Sequence, residues 1–434
     1  MFPLLAALLL QSSSAPLAPI TREFTVPSPA EVVATITAGC SRCDWGEEHR
    51  EALLLELRVD GVYSQHLALV RGSAAADYPV MLGRLAAGTH ALQITVDRQR
   101  SAPDAGALDV TNVVFHSYDR TAPEFDWLQY APRLRARPGT VEKFSDFPLV
   151  MYAERNTRGE TGQHYRYQYT VIFTNEDGGT PTDRLMATWG RTTDIEFVYG
   201  LPEGKDAGEI QAEGHKWIPF AGPTVGTHPV LWVATLNNMV ADHGPEDAIT
   251  YAPAPSLIDL TGTSREHVMD AQPWMYAVTS KEMQREGRID PAAQPGSGKI
   301  PDPRRYATLE ACGDVADATL AFDIGVRGAD GTMTWFATDR GDPRFRIARG
   351  GCFRGGAPLP DGTTPAEIAG LRVRAYPRPP RGGETALPPG SGSVTLRSVN
   401  MIFMLDGRFV PSKSPFTWKG MLPVKTDGTP IDVR

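Results

Sequence analysis

Two acidic residues spaced two apart, Asp194 and Glu196, stand in a block from His164 to His243 that is dense in polar and aromatic side chains. On a strand, residues i and i+2 share a face. The spacing therefore projects both acids together and turns Ile195, Phe197 and Tyr199 to the other side. Paired carboxylates can hold a hard cation through oxygen, or divide acid and base roles if their surroundings separate their pKa values. Asp183 would supply a third oxygen. His164, His215, His228 and His243 are four of the nine histidines, and could add nitrogen ligands or a proton-transfer group. The catalytic candidates are thus Asp194, Glu196, His215 and His228. The metal candidates are Asp183, Asp194 and Glu196, for a divalent cation such as calcium, manganese or zinc. The competing reading is an exposed polar sheet face with surface acids.

Other pieces of the block read more plainly. Tyr165, Tyr167 and Tyr169 share a strand face, either as a sugar-stacking platform or, in the favoured reading, as one wall of a core. Asn175-Glu176-Asp177-Gly178-Gly179 lacks the ligand spacing of a calcium loop and reads as a hairpin turn. Trp232 alternates with His228 and Val230, which makes His228 a strand-end residue at a core rim, and Asn237, Asn238, Asp242 and His243 follow in a loop. The sequence has no Gly-x-Ser-x-Gly elbow, His-Glu-x-x-His helix, phosphate loop or dinucleotide fingerprint. Gly296-Ser297-Gly298-Lys299 reads as linker.

The elements that must position these residues follow from size and punctuation. At 434 residues, with 41% hydrophobic and 22% charged residues, the chain has the composition of a globular protein too long for one ordinary core. The 42 glycines and 37 prolines favour short strands and turns over helices. A formal net charge of −8 offers no electrostatic footprint for nucleic acid or anionic lipid. Residues 1–15, an apolar run followed by small residues, read as a secretory signal, and no other run is long and apolar enough to span a bilayer. Secretion, to the periplasm or the extracellular space, agrees with cysteines paired as Cys40–Cys43 and Cys312–Cys352.

The expected fold is mainly β: antiparallel, jelly-roll-like sandwiches in several domains with few short helices. Residues 21–118 form an N-terminal sandwich, with Leu55, Leu57 and Val59 inward on one strand and Leu92, Ile94 and Val96 on another. Residues 119–290 form a central β domain carrying the candidate site, 291–303 a linker, and 304–434 a C-terminal sandwich in which Leu320, Phe322, Ile324 and Val326 point inward. Ser398-Val399-Asn400-Met401-Ile402-Phe403 echoes Val110-Thr111-Asn112-Val113-Val114-Phe115, which suggests that the outer sandwiches are related. The best helix candidate runs from Thr279 to Glu286, with Ser280 as N-cap and Gly287 as stop.

Gly190-Arg191-Thr192-Thr193-Asp194-Ile195-Glu196 resembles a degenerate form of the Gly-His-Arg-His-Asp-Trp-Glu heptapeptide of necrosis- and ethylene-inducing peptide-like proteins, and the Asp-Trp-Glu of the vacuolar-protein-sorting-62-like group. A Tyr-rich strand before it and the segments around His215 and His228 after it fill the flanking places. Gly190, Asp194 and Glu196 are kept, whereas both motif histidines are replaced. The resemblance implies a central β-sandwich holding a divalent cation partly through Asp194 and Glu196, with Asp183 as a further ligand. Together these readings lead to a modular exported protein that binds an extracellular glycan or glycoconjugate through its central domain. The alternatives are a metal- or carboxylate-dependent polysaccharide hydrolase or lyase, and a non-catalytic structural surface protein.

Overall fold

The computed structural model describes residues 19–158, 163–205, 207–380, 382 and 384–434. The signal-like segment 1–15 lies outside them. The chain is mainly β, built from pairs of sheets with a few short helices.

The first pair contains β1 (Ile20–Val26), β2 (Ala30–Cys40), β3 (Leu54–Val59), β4 (Val62–Ala68), β5 (Ala76–Leu85), β6 (Gly88–Asp97) and β7 (Leu108–Tyr118), ordered β1-β6-β3-β4 and β5-β2-β7. Leu55, Leu57, Leu92 and Ile94 are buried as the alternation requires, and Val96 packs at the rim. The C-terminal pair repeats this order. Tyr306–Ala316 lies between Gly351–Pro358 and Ser393–Leu405, as β2 lies between β5 and β7. Ala318–Arg327 lies between Met333–Ala337 and Ile368–Pro377, as β3 lies between β4 and β6. The echoed segments fall on equivalent strands, and each has a pairing irregularity at the echo, between Thr37/Ala38 and between Glu310/Ala311 on the partner strand. The echo thus reflects a shared topology. Both disulfides, Cys40–Cys43 and Cys312–Cys352, form as expected.

Between the outer pairs lies a six-stranded sheet made of β8 (Pro148–Arg158), β9 (His164–Phe173), β10 (Ile195–Pro202), β11 (Glu209–Ala212), β12 (Lys216–Pro219) and β13 (Ser256–Ile258), ordered β12-β11-β10-β9-β8-β13. A second sheet contains Arg133–Arg135, His228–Val233 and Thr250–Tyr251. Most pairings are antiparallel, but β13 runs parallel to β8, and His228–Val233 runs parallel to Arg133–Arg135. Tyr167 and Tyr169 are walls of a core that is continuous from the N-terminal sandwich into the central sheets. Met401 and Phe403 of the C-terminal sandwich join Ile172, Ile195 and Met275 in a further cluster. The segment read as a linker is docked rather than loose: Ile300 is fully buried and bridges to Ile289.

The one helix expectation is corrected in its start. The C-terminal helix of the central part spans Trp274–Arg285, beginning behind Pro273 and placing Ser280 in its buried interior rather than at its cap. Proline's fixed φ suits the start of a helix, and the apolar residues after it pack inward. A second helix, Thr182–Trp189, follows the Asn175–Gly179 segment. It ends at Gly190, whose φ of 63° and N–H to the Met186 carbonyl (3.1 Å) make it a left-handed C-cap. A Cβ there would lie 2.7 Å from the Thr308 side chain. The glycine of the heptapeptide therefore stops a helix and admits the C-terminal sandwich. Asn175–Gly179 leads from β9 into this helix and does not form a hairpin.

Candidate functional site

Asp194 and Glu196 meet as their spacing requires, but inside the protein. Asp194 directly precedes β10, where its carbonyl accepts the Phe173 N–H (3.0 Å). Both side chains are almost fully buried. A pairing irregularity between Tyr169 and Thr170 then shifts the strand's alternation. Ile195 packs against Ile172 as expected, whereas Tyr199 lies beside Tyr169 in the other core cluster, with ring centroids 6.0 Å apart. That corrects the face assigned to Tyr199.

The two carboxyls are close enough to shift each other's titration. Burial, then the neighbouring Asp194 charge, pushes Glu196 well above the usual carboxylate range, so Glu196 is the protonated partner. Burial also raises Asp194, against the pull of Arg191. Arg191 stands 3.7 Å from Asp194 and 3.2 Å from Glu266. Asn238, in the loop after His228–Val233, donates its amide to Asp194 (3.1 Å). Glu176 completes the node, lifted to about 7 by burial and by the Asp194 charge. Every member is packed under the sheet, and none of them lines a described cavity. The arrangement joins β10, the Asn238 loop and the segment before the Trp274 helix through charge.

The other candidates do not join it. Asp183 lies in the helix Thr182–Trp189, where Oδ2 accepts the backbone N–H groups of Gly296 (2.7 Å) and Gly298 (3.2 Å). It anchors the segment after residue 290. His215 is exposed in the turn between β11 and β12. His228 is buried, with Nε2 3.0 Å from Glu31 and Nδ1 3.0 Å from the Ala131 carbonyl, and fastens the central part to β2. His164 and His243 are exposed. The expected catalytic set of Asp194, Glu196, His215 and His228 is therefore not assembled. The metal trio Asp183, Asp194 and Glu196 does not form a cation cage, because backbone amides occupy Asp183 and the other two face arginines. No group of three or more potential ligands occurs among the described residues.

The surface above the same sheet offers a different kind of site. An open groove of about 780 Å³ runs across β8, β9 and β10 and along the segment after β13, with Glu154, Asn156, Thr157, Gln168, Phe197 and Asp259 among its lining. Glu154 and Gln168 are directly opposed across β8 and β9. Gln168 Oε1 accepts the Thr157 hydroxyl (2.9 Å), which fixes the amide and leaves its N–H groups without a partner among the described residues. Glu154 makes no hydrogen bond or ion pair among the described residues; burial lifts it to about 7, Arg265 opposes that rise and Asp259 adds to it. Phe197 supplies the aromatic surface, with the Arg265 guanidinium 5.4 Å from its ring. Trp217 on β12 lies 6.4 Å from Phe197.

The sequence carried a signal for this groove. Arg166, Gln168 and Thr170 alternate with the three tyrosines, so a polar face opposite the tyrosine wall was readable. The tyrosines are core, as favoured: all are buried, and the Tyr165 and Tyr169 hydroxyls donate to Glu209 (2.9 Å) and the Trp127 carbonyl (2.5 Å).

No family model and no curated protein sequence matches the chain. Among solved structures, a C-terminal domain of EclA, described as a sugar-binding protein, is 16% identical over 23% of this chain and 68% of its own, with a TM-score of 0.18. A lectin from Pleurotus ostreatus in complex with GalNAc is 12% identical over 96% of this chain and 89% of its own, with a TM-score of 0.12. Scores this low carry no argument about fold or function.

Proposed function

We propose that the protein is exported and binds an extracellular glycan or glycoconjugate in the groove across β8, β9 and β10. The observation that carries this reading is the opposed pair Glu154 and Gln168, with unspent hydrogen-bonding capacity on the floor of an open groove that also presents Phe197. Neighbouring sugar hydroxyls are both donors and acceptors. A carboxyl beside a fixed amide can accept one and donate to the next, while an aromatic ring covers the apolar C–H face of a pyranose. Two disulfides agree with an oxidising compartment. No described helix is long and apolar enough to cross a membrane. The hydrolase or lyase alternative lacks support from the geometry, since Asp194 and Glu196 line no groove and no histidine approaches them.

A glycan array tests the proposal, with wild-type protein beside the double variant Glu154→Ala/Gln168→Ala. Selective binding by wild type and its loss in the variant is the expected result. Binding that survives the double substitution places the ligand elsewhere.

A further inference from the structure

A second concavity has the opposite character. At the seam between β5 and the start of β8, a cavity of about 190 Å³ is lined by Tyr78, Phe147, Met151, Tyr251 and Trp274, with Arg71 also in its wall. An apolar cavity of ~150 Å³ is large enough to hold benzene, so this one has room for a single ring with small substituents. Two polar groups of the wall have hydrogen-bonding capacity left over. The Tyr251 side chain is 6% exposed, and its buried hydroxyl makes no hydrogen bond among the described residues. A buried hydroxyl ordinarily finds a partner, because leaving it unpaired forfeits the hydrogen bonds that it made to water in the unfolded chain. Arg71 is half-buried and makes no ion pair among the described residues. Its guanidinium lies 4.7 Å from the Trp274 ring centroid and, among the described residues, donates only to the Asp77 carbonyl (3.4 Å).

The remaining polar side chains of the wall are largely committed. Gln65 spans the Met81 carbonyl and the Ala252 N–H. His66 is held between Tyr63 (2.8 Å) and Asp97 (3.1 Å). The Asp77 carboxylate is exposed and accepts the Thr37 hydroxyl at 2.7 Å.

We propose that this cavity binds a small aromatic carboxylic acid bearing a second hydrogen-bonding group, its ring among Tyr78, Phe147 and Trp274, its carboxylate at Arg71 and its second polar group at the Tyr251 hydroxyl. The site is separate from the groove: residues 148–151 of β8 line the cavity, whereas residues 154–157 line the groove.

Calorimetry on the full protein with three probes tests it: 4-hydroxyphenylacetate, phenylacetate and 4-hydroxyphenylacetamide. The first is expected to bind tightest, with each of the others weaker by roughly tenfold, the worth of one well-placed hydrogen bond or charge-assisted contact. Arg71→Gln should erase the preference for acid over amide and leave the preference for the hydroxyl. Tyr251→Phe should do the reverse, and it removes only an unpaired hydroxyl, so the fold tolerates it. Absence of saturable binding by 4-hydroxyphenylacetate, or preferences that survive both substitutions, overturns the proposal. Neither result bears on glycan binding in the groove.

Discussion

Glu196 and Phe197 are chain neighbours on one strand, and they belong to opposite kinds of place. Glu196 points into a buried node where carboxyls, arginines and Asn238 offset much of one another's charge, while Glu196 Oε2 and Asn238 Oδ1 stay sealed from any ligand and without a hydrogen-bond partner among the described residues. Phe197 turns to an open groove where Glu154 and the Gln168 amide still have capacity to spend. The node holds the more conspicuous residues and the groove holds the usable ones. A ligand needs unsatisfied groups that it can reach, so density of titratable residues alone is a poor guide to a site.

The sharpest way to break this comparison is to remove one charge from the node. Arg191→Met takes the nearest cation from buried Asp194 and Glu266, leaving Arg265 at 4.0 Å from Glu266, and is expected to cost about 3 kcal/mol of stability, measured by urea unfolding. A loss below ~1 kcal/mol would show that the node does not hold the fold together.

Stability should also depend on pH in a direction set by the buried acids. Glu282, which accepts the Trp45 indole N–H (2.8 Å), is raised to about 8 by burial and by the Glu286 charge. Between its unfolded value near 4.5 and about 8 it holds a proton in the folded chain and loses it in the unfolded one. Its stabilisation is complete at the acid end and is lost as pH rises through the folded value, at up to about 1.4 kcal/mol per pH unit. Glu282→Gln should flatten that part of the stability-versus-pH curve; an unchanged slope would remove Glu282 as its source.

In the groove, titration should act on binding. Burial raises Glu154 to about 7, so glycan affinity in wild type should change across neutral pH as the group switches between donor and acceptor. Glu154→Gln should remove that inflection. The smallest expected effect belongs to Glu196→Gln. Because Glu196 is already protonated, the amide should change stability by less than ~1 kcal/mol. A larger loss would show that Glu196 carries charge in the folded protein.

Much of the architecture was legible in the sequence. Alternation at Leu55–Val59 and Leu320–Val326 placed strands and their inward faces, because one buried sheet face imposes a period of two. The echo between Val110–Phe115 and Ser398–Phe403 pointed to the topology shared by the outer sandwiches. The i,i+2 rule brought Asp194 to Glu196 but could not say that the shared face is buried, since burial of a polar pair depends on partners distant in sequence, here Asn238 and Arg265. Asp183 and His228 illustrate the same limit: their partners are Gly296 and Glu31. The helix Thr182–Trp189 escaped because it is short and begins in a Thr/Pro-rich stretch that reads as a turn. Glu154 and Gln168 were missed because opposition across strands depends on register, which the tyrosine wall alone does not fix.

The central claim is that ligand binding belongs to the groove and not to the acids beneath it. Calorimetric titration of the best glycan from the array into wild type, Glu154→Ala/Gln168→Ala and Glu196→Gln, with the mixtures then assayed for released reducing ends, tests it most directly. The account predicts binding by wild type and Glu196→Gln, none by the groove variant, and no cleavage. Cleavage that disappears in a folded Glu196→Gln protein, or undiminished binding by the groove variant, would contradict it.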